Sequence, residues 1–148
     1  MKAIRSSKNN TWKLFAIVIC SFFFGQTVFC QSNVITATSC SREDVQSAIE
    51  LAEDGDTILI PAGNCTWTET LIIDPMPAIT LQGEGMNVTV ITDSTPDGWM
   101  QTPFWIVGEE GKPFRITGIT FEGRSTTNGA LYIRGTCKNF RIDHCEFD

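Results

Sequence analysis

A nine-residue stretch near the end of the chain occurs twice, 26 residues apart. The copies are FRITGITFE at Phe114–Glu122 and FRIDHCEFD at Phe140–Asp148, and they are identical at four of the nine positions. In both copies apolar and polar residues alternate over short runs, which is typical of β-strands. Because self-similarity at a fixed period of roughly 20–50 residues is the signature of repeat architectures, we expect a solenoid of β-strands.

The middle of each copy predicts how the strands connect. Gly118 in the first copy and His144 in the second interrupt the alternation, so the inward face continues only if the chain turns a corner there. Glycine adopts positive φ freely, and histidine is among the other residues enriched in that region. Each coil then holds three short strands, and the pattern predicts an all-β parallel β-helix. The matched strands are 104–107, 114–116 and 119–121 in one coil and 131–134, 140–142 and 145–147 in the next.

One amphipathic helix is predicted before the strands, over about residues 41–54. Ser41 suits its N-cap, and Gly55 is placed to end it. The apolar stripe has helical spacing and needs a surface to cover, so we expect a cap on the solenoid, with coils from about residue 56. The stripe consists of Val45, Ala48, Ile49 and Ala52.

Residues 1–30 have the pattern of a secretory signal peptide. Four basic residues precede an eleven-residue apolar run, Leu14–Phe24, and cleavage is expected after Cys30. A lipid-anchored Cys30 is the alternative, which the bulky Phe29 disfavours. No other stretch is apolar enough to cross a membrane. We therefore expect a secreted product, extracellular or periplasmic, whose domain spans residues 31–148.

The charge of the expected product disfavours nucleic acid as a partner. Residues 31–148 hold seven basic and seventeen acidic residues, a net charge of −10. The sequence leaves the oligomeric state open.

Four cysteines remain after the leader. The predicted helix runs away from Cys40 and the following strand returns, which places Cys65 close to Cys40 and predicts a disulfide between them. Cys145 occupies an inward position, and pairing it with Cys137 would need a sharp reversal, so we expect free thiols at both positions.

Aromatic residues on one predicted strand face are candidates for binding sugar rings. If Gly108 and Gly135 are aligned, Trp105 lies beneath Tyr132 on an outer face, with Arg134 beside them. Aligning the coils on the phenylalanines of the repeat instead shifts the register by one residue, which would bury Trp105. Outer aromatics that only stabilise neighbouring coils are the alternative interpretation.

His144 and Asp143 are the candidate catalytic residues, as a general acid–base pair. The alternative is a structural role, because His144 sits at a predicted corner. The residues themselves predict no metal site: Asp54, Asp56 and Asp74 occupy ordinary loop positions.

The segment from Asp44 to Gly85, "DVQSAIELAEDGDTILIPAGNCTWTETLIID…ITLQGEG", resembles the amino-terminal region of secreted right-handed parallel β-helix proteins of the pectate-lyase-like superfamily. The resemblance covers essentially Ser39–Asp148. It implies a capping helix, a possible calcium cofactor and a polysaccharide substrate. The chain ends inside a repeat, and an uncovered last coil would expose unpaired backbone groups, so we expect an amino-terminal fragment.

Two functions follow from this resemblance. The first is acting on or binding an extracellular acidic polysaccharide, as a polysaccharide lyase or, less in keeping with the motifs present, a glycoside hydrolase. The second is a non-catalytic glycan-binding or adhesin-like surface solenoid. The scaffold is shared by many activities, so fold alone does not choose between them.

Overall fold

The computed structural model describes residues 32–98, 101–123 and 129–148, and the predicted leader lies outside them. The described residues form one helix, α1 (Arg42–Glu50), and twelve short strands. The strands are β1 (Val34–Thr36), β2 (Thr57–Ile60), β3 (Gly63–Trp67), β4 (Leu71–Met76), β5 (Thr80–Gly83), β6 (Thr89–Asp93), β7 (Phe104–Gly108), β8 (Phe114–Thr117), β9 (Thr120–Glu122), β10 (Leu131–Gly135), β11 (Phe140–Asp143) and β12 (Glu146–Phe147).

All strand pairs between the described strands are parallel, and they form three sheets. Sheet A has the order β1-β2-β5-β8-β11, sheet B the order β3-β6-β9-β12, and sheet C the order β4-β7-β10. From β2 onward the chain visits A, B and C in turn, so each set of three strands is one coil. The prediction of a parallel β-helix is confirmed, and so are three strands per coil.

The register confirms the 26-residue repeat. Phe114 pairs with Phe140, and Ile116 pairs with Ile142. The corner residues behave as predicted: φ is 72° at Gly118 and 50° at His144. The Gly118 N–H donates to the carbonyl of His144 over 3.0 Å, so the two corners lie one above the other.

Inward side chains form the core by stacking from coil to coil. On sheet A, Ile58, Leu81 and Ile116 occupy successive positions of one row, and each is 0% exposed. Burying a side chain of this size contributes about 1.5–3 kcal/mol, so each coil stabilises its neighbours through such rows. The rings of Phe121 and Phe147 also stack, with centroids 5.1 Å apart.

Helix α1 covers the first part of the core. The Ser41 side chain accepts a hydrogen bond from the Asp44 N–H, and Val45, Ala48 and Ile49 are buried. The helix ends at Glu50, earlier than the expected end near residue 54. Gly55 does adopt positive φ, 99°, but it does so in the loop into β2.

The loop between α1 and β2 is held by hydrogen bonds outside the helix. The carboxylate of Asp56 accepts from the Glu53 and Asn33 N–H groups, at 2.9 and 2.8 Å, and Gly55 N–H donates to Ala78. These contacts draw the chain out of the helix toward β1 and the next coil. Strand β1, which precedes the helix and begins sheet A, has only three residues and was not predicted.

The cysteines confirm the predicted pairing. Cys40 and Cys65 form a disulfide with Cα atoms 5.7 Å apart. Cys137 and Cys145 are free. The indole N–H of Trp67 donates to the Cys40 carbonyl over 3.0 Å, so the disulfide, the start of the helix and the core meet at one point.

Candidate functional site

The outer face of sheet C carries a row of large side chains, one from each strand. Ile72 on β4 pairs in register with Trp105 on β7, and Trp105 pairs with Tyr132 on β10. Gly108 aligns with Gly135, so of the two registers that the sequence left open, the glycine register is the one found. The rings of Trp105 and Tyr132 have centroids 4.4 Å apart and are tilted by 32°.

The two rings differ sharply in exposure. Tyr132 is 43% exposed, whereas Trp105 is only 4% exposed although it points away from the core. The guanidinium carbon of Arg134 lies 5.2 Å from the centre of the Trp105 ring, within cation–π distance. Trp105 therefore supports Tyr132 and Arg134, and Tyr132 offers the accessible ring.

An open groove of about 540 Å³ lies against this row. We call it the sheet C groove. Its lining residues are Thr68, Glu69, Thr70, Ile72, Asp74, Pro96, Gln101, Trp105 and Arg134. Ligand sites in proteins are concave in this way, with an apolar floor and a few polar groups around it.

The connections from sheet B to sheet C build one wall of the groove. The buried Asp93 carboxylate accepts from the N–H and hydroxyl of Thr95, both at 2.8 Å. The hydroxyl of Thr102 donates to the Gly129 carbonyl over 2.5 Å, which ties two successive connections together. These contacts hold the described parts of the wall in place, because buried polar groups that are fully paired rigidify a site.

Charge in the groove is mixed. Glu69 is paired with Arg42 of the helix, Nη2 to Oε2 3.0 Å. Asp74 is exposed on β4. Arg134 makes no ion pair with any residue that the structure describes, so its guanidinium is the cation of the groove that is available to a ligand.

Several lining residues were not identified from the sequence. Glu69 and Gln101 lie in connections without periodicity, and Asp74 was read only as a loop residue. The available signal was the outward position of Ile72 two residues before Asp74, which places Asp74 on the same outer side of β4.

The candidate pair Asp143 and His144 lies elsewhere, at the corner between sheets A and B. Nδ1 of His144 is 2.8 Å from Oδ1 of Asp143. Arg115 donates to the same carboxylate from Nε and Nη2, at 2.9 and 2.6 Å, and the Thr117 hydroxyl donates over 2.7 Å. Arg141 forms a further ion pair with it.

This setting determines what Asp143 can do. Hydrogen bonds from Arg115, His144 and Thr117 hold the pKa of Asp143 well below its usual range. A carboxylate held this strongly in its ionised form is a poor proton carrier near neutral pH. The geometry gives Asp143 a bridging role between β8 and β11, and a catalytic role for the pair stays a prediction.

Metal ligands do not cluster among the residues described: no group of three or more His, Cys, Asp or Glu side chains is placed to hold a metal ion. Asp54 accepts a hydrogen bond from the Ala78 N–H and pairs with Lys112. Hydrogen bonds from Lys112 and the Ala78 backbone lower its pKa. The two oxygens of Asp56 are engaged by backbone N–H groups.

Comparison with known proteins adds no identification. No model of a known family matches the chain, and no curated protein matches it significantly. In the described part of the chain, no helix is both long and apolar enough to cross a membrane.

Proposed function

We propose that the protein is exported and binds an extracellular acidic polysaccharide in the sheet C groove. One observation carries the proposal. The exposed ring of Tyr132, packed against the buried Trp105, lies beside an arginine, Arg134, that makes no ion pair with a described residue.

The chemistry of an acidic sugar fits this arrangement. The C–H face of a pyranose ring packs on an aromatic ring, and Tyr132 offers such a surface with little conformational entropy to lose. A uronate carboxylate can accept two parallel hydrogen bonds from a guanidinium group, which Arg134 would supply. Thr70, Gln101 and Asp74 on the sides of the groove provide partners for hydroxyl groups.

We further propose that the chain belongs to the pectate-lyase-like superfamily. The places that the resembling motifs occupy in the fold support this assignment. The segment DTILIPAG supplies β2 directly after the capping helix, and TLQGEG supplies β5, the next strand of sheet A. The leader-like residues 1–30 support export, outside the cell or into the periplasm.

Binding is tested by calorimetric titration with an oligogalacturonate and with its methyl-esterified, uncharged form. Tyr132→Ala is expected to weaken binding of both. Arg134→Gln is expected to weaken binding of the acid form alone, by about tenfold, because it removes one charged hydrogen-bonding partner. Lys138→Gln is the charge-matched control, since Lys138 is exposed and paired with Glu110 away from the groove.

Equal affinities in Arg134→Gln, Lys138→Gln and the unaltered protein would contradict the proposal. The same mixtures also test the lyase prediction, because elimination next to a uronate carboxylate leaves an unsaturated product that absorbs ultraviolet light. Binding without this absorbance supports a glycan-binding solenoid, and its appearance supports a lyase.

A further inference from the structure

Two arginines lie next to each other on the outer face of sheet A, and neither of them lines the sheet C groove. Arg115 on β8 pairs in register with Arg141 on β11. Adjacent strands are about 4.8 Å apart, so the two side chains leave the sheet side by side. Their side chains are 40% and 69% exposed.

A single carboxylate holds both guanidinium groups. Asp143 receives two hydrogen bonds from Arg115 and an ion pair from Nε of Arg141. Like charges directly opposite each other on a sheet are destabilising, and one carboxylate compensates only one of the two. The cluster therefore keeps one unit of positive charge on a chain that is otherwise strongly acidic.

An open groove of about 430 Å³ lies beside the pair. Both arginines line it, together with the apolar Ile79 and Pro113 and the amide-bearing Asn139. Asp56 also lines it, but this residue is 3% exposed and its oxygens accept from Asn33 and Glu53 N–H groups.

We propose that the Arg115–Arg141 pair is a second binding site, which takes an oxyanion, either a carboxylate or a sulfate group. Asp143 engages Nε and Nη2 of Arg115 and Nε of Arg141, so each guanidinium keeps further N–H donors for another acceptor. The Asp143 carboxylate also fixes the orientation of both guanidinium groups, which reduces the conformational entropy lost when an anion binds between them.

The structural alternative is that Arg141 only supports Asp143, two residues further along the same strand, in the link that Asp143 makes from β11 to Arg115 on β8. Arg115 alone already gives Asp143 two hydrogen bonds, and Thr117 gives a third. A second arginine, mostly exposed and beside a groove, adds little to that link, because exposed ion pairs contribute about 0–1 kcal/mol. Its position is better explained by an external partner.

The test is a titration of the isotopically labelled protein with sodium sulfate and, separately, with sodium galacturonate, followed by NMR at constant ionic strength. We expect saturable shifts of the β8 and β11 amides with at least one of the two anions, and the arm that saturates identifies the group. Arg141→Gln should weaken this binding by about tenfold, and Arg141→Lys should weaken it less, because the charge remains but the fork is lost.

Lys138→Gln serves as the charge-matched control and should leave the titration unchanged. Tyr132→Ala should leave the shifts of the β8 and β11 amides unchanged, so failure at this site is distinguishable from failure of the sheet C proposal. The proposal is overturned if neither anion gives saturable shifts, or if Arg141→Gln and Lys138→Gln bind equally well. A thermal melt of Arg141→Gln confirms that the variant is folded before it is titrated.

Discussion

The corner between sheets A and B gives the sharpest prediction of stability. Gly118 has φ of 72°, and a Cβ built on it would lie 2.7 Å from the Gly83 carbonyl oxygen in the neighbouring coil. Gly118→Ala therefore meets two separate penalties: a left-handed conformation that L-residues disfavour, and contact with a backbone atom that cannot rotate away.

The size of the effect follows from both penalties. The left-handed conformation costs about 1–2 kcal/mol in a residue with a Cβ. Making room for an added methyl group in a packed region costs about 1–3 kcal/mol more. We expect Gly118→Ala to lower the free energy of unfolding by about 2–5 kcal/mol, a large part of the roughly 5–15 kcal/mol typical of a domain.

His144→Gly is the matched control, at the same corner one coil later. Glycine relieves the strain of φ 50° at this position, but the more flexible unfolded chain and the loss of the exposed His144–Asp143 hydrogen bond offset that gain. The net change should stay within about 1 kcal/mol.

Urea denaturation measures both variants, followed by circular dichroism and by tryptophan fluorescence, whose transitions must coincide for a two-state analysis. The reasoning fails if Gly118→Ala is as stable as the unaltered protein, or if His144→Gly loses as much stability as Gly118→Ala.

Three further predictions concern the ion cluster, the disulfide and the buried indole. Because the folded-state pKa of Asp143 is lowered, the stabilisation that its carboxylate gives the fold is complete above the ordinary carboxyl pKa of about 3.9 and is lost as pH falls below that value. The difference in melting temperature between Asp143→Asn and the unaltered protein should therefore shrink only below about pH 4. Replacing Cys40 and Cys65 with serine opens a loop with a sequence separation of 25 and should cost about 3 kcal/mol in urea denaturation, and the variant should no longer respond to reductant. Trp67→Phe leaves the Cys40 carbonyl without its indole donor, so a loss of about 1–3 kcal/mol is expected in the same assay.

The sequence predicted the solenoid because its last two coils keep one length. Arg115 and Arg141 are 26 residues apart and pair directly, so the repeat is visible by eye. Earlier coils vary: Thr57 and Thr80 are 23 residues apart, and Thr80 and Arg115 are 35 apart. A pattern search at one period does not reveal these partners, although their inward positions follow the same alternation.

The candidate site was predicted only where it lies on strands. Trp105, Tyr132 and Arg134 occupy regular outward positions, so alternation and one glycine anchor were enough to bring them together. The burial of Trp105 was not predicted under that register, because outward direction does not determine what covers a side chain. Glu69 and Gln101 come from connections, whose path depends on tertiary contacts such as the hydrogen bonds of their neighbours.

The variation in coil length itself indicates which side of the solenoid is specialised. The corners from sheet A to sheet B after β8 and β11 take two residues each, and both place a positive φ at the same position. The connections from sheet B to sheet C are residues 68–70, 94–103 and 123–130, so they range from three to ten residues, whereas the other connections between described strands from β2 onward range from two to five. A solenoid tolerates insertions only where they leave the inward rows in register, and loops that vary over a constant scaffold are where binding residues concentrate. Residues 68–70, Pro96 and Gln101 of these connections line the sheet C groove, as does Arg134, which makes no ion pair with a described residue. The exposed Tyr132 packs against Trp105, which also lines the groove. Coil length and side-chain chemistry thus point independently to the same face, whereas the proposal for the sheet A arginines rests on their charge and the groove beside them, without support from coil length.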